Sequence, residues 1–391
     1  MISTIQHILS SLLSIDSISE NSNLSIIDFI EDYLDDFGIA CARIYSADRR
    51  KASLLATIGN AGAPGVVLSA HTDVVPVEGQ AWSFPPFAAT VRDGRIFGRG
   101  STDMKGFIAT VLAHVPEFAA ASTGTPVHLA FSYDEEVGCR GAPDLVRAVA
   151  GLEALPALAI VGEPTGMRVA HAHKGKVAKR VTVAGRTGHS ALPHRAANAV
   201  DAAAALAFGL RKIGRRLASS PGDGAFDPPW TSLHVGSLHG GGALNLVPDR
   251  AVLEFEIRYM PGEDVTRIFD EVNILIEEER RTLKEAAAEA DILVEDLSAY
   301  PALDCAPDGP AARTTARLAG DRQPATTISF GTEAGIYAAA GIPTIVCGPG
   351  DIARAHKADE WIGIDELAAA SRMMNRLADA LQRPASEWIT R

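Results

Sequence analysis

The sequence predicts an α/β protein, a mostly parallel sheet with helices on both faces, carrying an inserted ferredoxin-like α+β domain. Three observations predict it. Short apolar strands such as "GVVLSAHTD", "PVHLAFSYDEE" and "ALAIVGEP" are separated by helical segments, the pattern of a parallel sheet covered on both sides. From about residue 178 the strands alternate instead, in the order strand–helix–strand–strand–helix–strand of a ferredoxin-like unit. Near residue 300 the buried-strand pattern resumes. The expected domains are residues 1–177 with 298–391, and an insertion over 178–297.

Each element follows from local pattern. In "LSIIDFIEDYLDDF", Ile26, Ile27, Ile30, Tyr33, Leu34 and Phe37 share one helical face, and Gly38 stops the helix. "FAATVRDGRIFGRG" reads as a hairpin turned by Asp93-Gly94. "MKGFIATVLAHVPEF" reads as one helix. In the insertion, "AKRVTVAGRTGHS" is an alternating strand and "AANAVDAAAALAFGLRKIGRRLA" an alanine-rich helix. "TSLHVGSLHGGG" and "ALNLVPDRAVLEFEIRYMP" are alternating strands. "EDVTRIFDEVNILIEEERRTLKEAAAEA" is a second helix, and the strand "DILVEDL" closes the set. "TTISFGTEAGIYAAAGIPTIVCGPG" then supplies a further helix and a buried strand.

Composition removes several classes of function. The net charge of −12 argues against nucleic acid or an anionic membrane as partner, because phosphate binding needs clustered Lys and Arg. No apolar run approaches the roughly 20 residues that span a bilayer. The four cysteines, Cys41, Cys139, Cys305 and Cys347, form no C-x-x-C pair and suit a reducing cytosol. The start "MISTIQHILSSLL" has no basic leader, so a secretory signal is not expected. A cytoplasmic protein is the expectation.

Five polar clusters sit where predicted strands or hairpins run out. They are "SAHTD" with His71 and Asp73, "GRGSTDMKG" with Asp103, "YDEEVG" with Glu135 and Glu136, "VGEPT" with Glu163, and "GPGDIARAHKADE" with His356. Taken singly each has an ordinary structural reading: a helix cap, a solvated turn, a surface histidine. Together they gather imidazoles and carboxylates at the carboxyl ends of strands, where open α/β sheets form their ligand crevice. Those are donors that zinc accepts.

The ordered set "SAHTDVVP", "GRGSTDMKG", "DEEVG", "VGEPT" and "AHKADE" resembles the motifs of the co-catalytic zinc deacylases and exopeptidases. That family includes acetylornithine deacetylase, succinyl-diaminopimelate desuccinylase, aminoacylase and carboxypeptidase G. The resemblance runs over nearly the whole chain. "AHKGK" and "SFGTEAGIYAAAGIPTIVCGPGDIARAHKADEW" tilt it towards the acetylornithine deacetylase branch. It implies a zinc-exopeptidase-like fold whose inserted part is a lid that also forms a homodimer.

By the same resemblance, His71 and Glu163 hold one zinc, Glu136 and His356 a second, and Asp103 bridges both. Co2+ or Mn2+ can stand in for Zn2+. Asp73 hydrogen-bonds the His71 ring, Glu135 is the general base, and a cis peptide follows Asp103. His189 in "RTGHSALPH" matches a lid histidine that stabilises the oxyanion, with His194 as a nearby rival; in some relatives this histidine comes from the partner subunit. Arg258 matches an arginine that pairs with the substrate α-carboxylate, and Asn245 and Thr332 resemble other substrate contacts. Glu333 is the acid expected beside a cationic ornithine side chain, or alternatively a plain helix N-terminal carboxylate. "PHRAANAV" departs from the family, with Ala196-Ala197 where many relatives carry a glycine before the Asn.

The implied reaction is hydrolysis of an N-acyl amino acid, N-acetylornithine first, to ornithine and acetate in arginine biosynthesis. Other N-acyl amino acids (N-acetylcitrulline, succinyl-diaminopimelate) and di- or tripeptides or carboxypeptidase substrates stay open as alternatives. So does a non-catalytic metal-binding regulator on the same fold, although every ligand and the base are present. "GRGSTD" has Asp103 where a dinucleotide loop needs its third glycine, and G-x-x-x-x-G-K-[ST], G-x-S-x-G and H-E-x-x-H are absent.

Overall fold

The computed structural model describes residues 1–220 and 222–389. The chain divides into two compact units. One comprises Met1–His173, Leu303–Thr327 and Thr332–Arg391; the other comprises Lys174–Ala302 and Ile328–Gly331.

The first unit is built on a large sheet whose centre is parallel. Val127–Ser132, Val66–His71, Leu158–Pro164 and Thr344–Gly348 lie side by side in that order, all pointing the same way. These strands are buried along their whole length, which is why they read as continuous apolar runs rather than alternating ones. Antiparallel strands flank them: Ala52–Ile58 and Cys41–Tyr45 on one side, Ala170–His173 and Leu303–Asp304 on the other. Because the four central strands are parallel, their carboxyl ends open on one edge. Everything chemical follows from that.

Helices cover the sheet. Leu24–Asp35 buries Ile26, Ile27, Ile30 and Leu34, and Gly38 follows with φ of 69°, the left-handed stop the sequence predicts. Phe37 lies past the helix end and is 41% exposed, so the predicted apolar face is one residue shorter. The single helix expected over "MKGFIATVLAHVPEF" is two, Gly106–Ala113 and Val115–Ala121. Pro116 has no N–H to continue the ladder and its ring clashes with the preceding turn, so the chain restarts there. The predicted hairpin is present as Thr90–Arg92 and Arg95–Phe97, with Asp93 and Gly94 both at positive φ.

The second unit is a four-stranded antiparallel sheet in the order Ser232–Gly240, Arg250–Tyr259, Gly175–Ala184, Asp291–Tyr300. Two helices belong to it. Ala199–Ala218 is capped by the Asn198 side chain, and Val265–Ala286 by Asp264. Along Arg250–Tyr259 the residues Ala251, Leu253, Phe255 and Ile257 are buried, alternating with more exposed ones that are polar except Val252. With its connections this is the ferredoxin-like βαββαβ order. Its core of valine, leucine, isoleucine and alanine, with Phe255, is separate from that of the first unit.

Candidate metal centre

Four of the five motif clusters are delivered by the parallel strand ends. His71 is the last residue of Val66–His71, and Glu135 and Glu136 follow Val127–Ser132. Glu163 is the next-to-last residue of Leu158–Pro164, and His356 lies in the loop after Thr344–Gly348. Asp103 comes from an irregular turn, Ser101–Lys105, entered through Gly100 at φ of 80°. A Cβ on Gly100 would lie 2.6 Å from Val74, so glycine is needed there on two counts. The Asp103-Met104 peptide is cis, as the resemblance implies.

The donor atoms converge. His71 Nε2 lies 3.1 Å from Asp103 Oδ1 and 3.9 Å from Glu163 Oε1. His356 Nε2 lies 3.3 Å from Asp103 Oδ2 and 3.0 Å from Glu136 Oε2. Asp103 thus offers one oxygen to each histidine. His71, Asp103 and Glu136 bring donor atoms within 4.8 Å of one another, and so do His71, Glu135 and Glu163. His71, Asp103 and Glu163 are buried, Glu135 and Glu136 partly so, and His356 is exposed.

The hydrogen-bond pattern says what belongs between these atoms. The His71 Nδ1–H donates to the Asp73 carbonyl at 2.9 Å, which leaves the lone pair of Nε2 facing a carboxylate oxygen. Two lone pairs 3.1 Å apart require a positive charge between them, a proton or a cation. Two ligands of a tetrahedral zinc are roughly 3.3–3.5 Å apart, given bonds of about 2.0–2.2 Å. The observed separations bracket that value, and the donor set is nitrogen and oxygen only. The residues fit a pair of divalent cations.

Electrostatics point the same way. Burial, then the Asp103 charge, pushes Glu136 up to about 7, and burial with Asp103 holds Glu163 well above the usual carboxylate range. Burial raises Glu135 to about 8; His71 opposes this, while Glu136, Asp103 and Asp73 add to it. Hydrogen bonds to Asp103 and Glu136 lift His356 to about 10. For His71 burial works against the charge, yet the Asp103 bond and its acidic neighbours carry it well above its ordinary value. Asp103 resists burial and is held low by the two histidines. Glu135, Glu136, Glu163 and the two imidazoles thus hold protons that dications would displace.

Asp73 departs from the expected contact. The His71 ring bonds its main-chain carbonyl, while its side-chain Oδ1 is 3.7 Å from Nδ1. The carboxylate instead accepts from the backbone N–H of Glu135 at 3.1 Å, that of Glu136 at 3.3 Å, and the Ser19 hydroxyl at 2.7 Å. One aspartate therefore orients the histidine through its backbone and the paired glutamates through its side chain. Cys139 Sγ lies 3.4 Å from Glu135 Oε1.

Two expected substrate contacts are corrected. Glu333 is buried at 1% exposure, and its carboxylate accepts from the hydroxyls of Ser69 and of Ser132, the latter at 2.7 Å. Ser69 Oγ also lies 2.9 Å from the Tyr337 hydroxyl. This acid anchors the strands that end in His71 and the glutamate pair, because a buried carboxylate must satisfy its oxygens inside the protein. Thr332 is fully buried and its hydroxyl accepts from Ala334 N at 3.0 Å, at the start of the helix Ala334–Ala339. Neither faces solvent. The sequence reading also missed Arg99 and Glu360, buried and paired at 2.7 Å; an acid four residues after His356, inside a quoted motif, was the available signal.

In the second unit, His189 is exposed and its Nδ1 accepts from Ala191 N at 3.1 Å, placing the ring proton on Nε2. His194 belongs to the short turn Pro193–Arg195. Arg258 Nε lies 2.9 Å from Glu256 and its Nη1 3.2 Å from the Tyr300 hydroxyl, while Lys176 Nζ lies 3.3 Å from Glu256. Asn245 is exposed.

The model of peptidase family M20/M25/M40 matches residues 67–380. The chain belongs to that family. An acetylornithine deacetylase of Aliivibrio fischeri (strain MJ11) is 29% identical over 371 residues, which is 94% of each chain. An M20 family metallo-carboxypeptidase from Sulfolobus solfataricus shares the fold, with a TM-score of 0.76 at 16% identity over 97% of this chain and 99% of that one. A dinuclear metal-binding M20 peptidase from Bacillus subtilis superimposes with a TM-score of 0.61 at 16% identity over 97% and 98%. This M20 chain is an enzyme that hydrolyses amide bonds. Its described residues include no helix long and apolar enough to cross a membrane.

Proposed function

We propose that this M20 enzyme is a two-metal amidohydrolase that removes the acyl group from an N-acyl amino acid, N-acetylornithine first among them. The observation that carries the reading is Asp103, whose two oxygens face His71 and His356 separately. His71 and Glu163 would hold one cation, Glu136 and His356 the other, and Asp103 would serve both. A pair of bound dications supplies Lewis acidity and a water acidic enough to deprotonate near neutral pH. Zinc suits the donors, and cobalt or manganese can replace it.

The chain's own residues manage the protons. Glu135 accepts the proton of the attacking water and delivers it to the leaving amine. Asp73 fixes the backbone of Glu135, so the base is held by a buried acceptor rather than by a free loop. His189, protonated on Nε2, is suited to donate to the oxyanion, from its own subunit or a partner's. The cluster Lys176, Glu256 and Arg258 carries two positive charges and one negative, and the surplus suits a substrate carboxylate. Asn245, whose carbonyl accepts from Ser190 N at 3.0 Å next to His189, is a further substrate contact in the same unit. The ornithine assignment draws on the curated relative, because the burial of Glu333 removes the acid expected to meet a cationic side chain.

Two wider features complete the proposal. The enzyme works in the cytoplasm, in keeping with four cysteines that are all free thiols. It forms a homodimer through the second unit, where the sheet edge Ser232–Gly240 exposes Leu238 and the helix Ala199–Ala218 exposes Phe208. The test is a turnover panel of N-acetylornithine, N-acetylcitrulline, N-acetylmethionine, N-succinyl-diaminopimelate and dipeptides, with metal-free protein as control. Preference for N-acetylornithine is expected; preference for dipeptides would replace the substrate, and full activity without metal would sink the mechanism.

A further inference from the structure

Arg99 and Glu360 are each 1% exposed and form an ion pair at 2.7 Å that contributes no metal donor. The Glu360 carboxylate takes four donors. Oε2 accepts from Arg99 and from Gly100 N at 3.0 Å, and Oε1 accepts from Thr102 N at 3.0 Å and Asp103 N at 3.2 Å. The amide of the bridging aspartate is thus bonded to an acid four residues beyond His356. Arg99 works on the other side. Its Nη1 donates to the Lys357 carbonyl at 3.2 Å, and its Nη2 donates to the Pro76 carbonyl and to Gln80 Oε1 at 2.6 Å. Gln80 in turn donates to the carbonyl of His356 itself at 3.2 Å.

We propose that the Arg99–Glu360 pair, with Gln80, is the positioning device for the His356 half of the metal centre, locking the Asp103 turn to the His356 loop. The proposal rests on the ligand assignment above. Its physical basis is an asymmetry between the two halves. His71 and Glu163 sit in strands whose backbones are fixed by the parallel ladder, since Val66–His71 pairs with both Val127–Ser132 and Leu158–Pro164. Asp103 and His356 lie outside any ladder, although their flanks are paired: Arg95–Phe97 runs antiparallel to Trp361–Gly363, and Gly98 N donates to the Glu360 carbonyl at 2.9 Å. One lies in an irregular turn and the other in a loop at φ of 61°. Beyond that paired flank the turn and the loop are joined by side chains, Glu360 reaching the amides of the Asp103 turn and Arg99 reaching the Lys357 carbonyl beside His356.

The charge matters as well as the shape. Every donor around Glu360 is an N–H, so an amide placed there would aim an NH2 at another donor. Glu360→Gln keeps the volume and breaks the clamp, which separates positioning from space filling. Gln80→Ala trims the outer contact to His356 at a partly exposed residue.

The experiment titrates metal-free wild type, His356→Ala, Glu360→Gln and Gln80→Ala with Co2+, followed by visible absorption and calorimetry, with thermal melts alongside. His356→Ala should abolish one of two binding steps; if both steps survive unchanged in it, the ligand assignment itself is wrong. Glu360→Gln should weaken that same step at least tenfold and leave the other within threefold, and Gln80→Ala should weaken it about three- to tenfold. Wild-type affinity at both steps in Glu360→Gln and Gln80→Ala overturns the proposal, as does equal weakening of both. If Glu360→Gln does not fold, Gln80→Ala decides by the same criterion.

Discussion

Glu333 offers a sharp test, because the substrate-acid reading of the sequence and the buried position in the structure make opposite predictions. As a substrate acid it would meet the ammonium of ornithine, and Glu333→Gln would then raise KM for N-acetylornithine on the order of 10–100-fold. N-acetylmethionine would be spared. The structure instead buries the carboxylate between the Ser69 and Ser132 hydroxyls. In Glu333→Gln one hydroxyl can rotate from donor to acceptor and meet the new amide, so two charge-assisted bonds become neutral ones. That costs about 1 kcal/mol each, offset in part because an ionised group no longer has to be buried. Burial raises the Glu333 pKa, in line with that offset. Glu333→Ala leaves buried hydroxyls without an acceptor at about 1–3 kcal/mol apiece, together with a cavity. At about 1–2 °C per kcal/mol for a chain of this size, its Tm should fall on the order of 5–10 °C. The assay is calorimetric melting of both variants plus kcat and KM on the two substrates. Glu333→Gln should change both substrates equally and by less than about threefold. A KM effect confined to N-acetylornithine would refute the buried-anchor account.

Other outcomes follow from the same geometry. Glu135→Ala should lower kcat by at least about 10³-fold while Co2+ binding stays within a few-fold, measured by single-turnover kinetics and metal titration; loss of metal instead would exchange the roles of Glu135 and Glu136. Asp73→Asn turns an amide against the backbone N–H of Glu135 or Glu136, so kcat should fall about 10²-fold with KM little changed. Metal-free protein should lose stability as pH rises. Glu135 and Glu136 bind protons more tightly folded than unfolded, so their contribution is present below about 4.5 and fades as pH passes about 7 to 8. His356 adds stability below about 6.5 that is lost as pH passes about 10. Melting curves between pH 5 and 9 should therefore slope downward without metal, and added Zn2+ should restore most at the alkaline end.

What could be read from the sequence was whatever the main chain dictates. Val66–His71 and Val127–Ser132 are apolar along their length because both faces are covered, so a polar residue at the end of such a run marks the sheet edge. That rule finds His71, Glu135, Glu136 and Glu163 without any side-chain coordinates. It fails for the direction of a polar side chain in a turn. Glu333 and Thr332 stand at the start of a helix, where a carboxylate or hydroxyl can face water or fold inward, and the choice depends on Ser69 and Ser132, some 200 or more residues away in sequence. The H-x-D spacing pairs Asp73 with His71 but does not distinguish a carbonyl from a carboxylate, and it is the carbonyl that meets the ring. Glu360 closes the motif "AHKADE", yet three of its four donors are backbone amides, which leave no signature in the residue string, and the fourth, Arg99, is some 260 residues away.

The paired glutamates also illustrate why adjacency is stable here and costly elsewhere. Neighbouring carboxylates at the mouth of a buried strand repel, and burial compounds the repulsion, as the raised values of Glu135 and Glu136 record. Their backbone amides, however, both donate to one Asp73 carboxylate, so the turn is closed by an anion that itself adds to the negative field. Such an arrangement gains nothing from the protein alone. On the proposed ligand assignment, cations between Asp103, Glu136 and the two histidines would make it favourable, and every acidic group in the cluster would strengthen the binding. The fold therefore stores its ligand set as excess negative charge, and stability of the first unit and metal loading should be one coupled quantity rather than two.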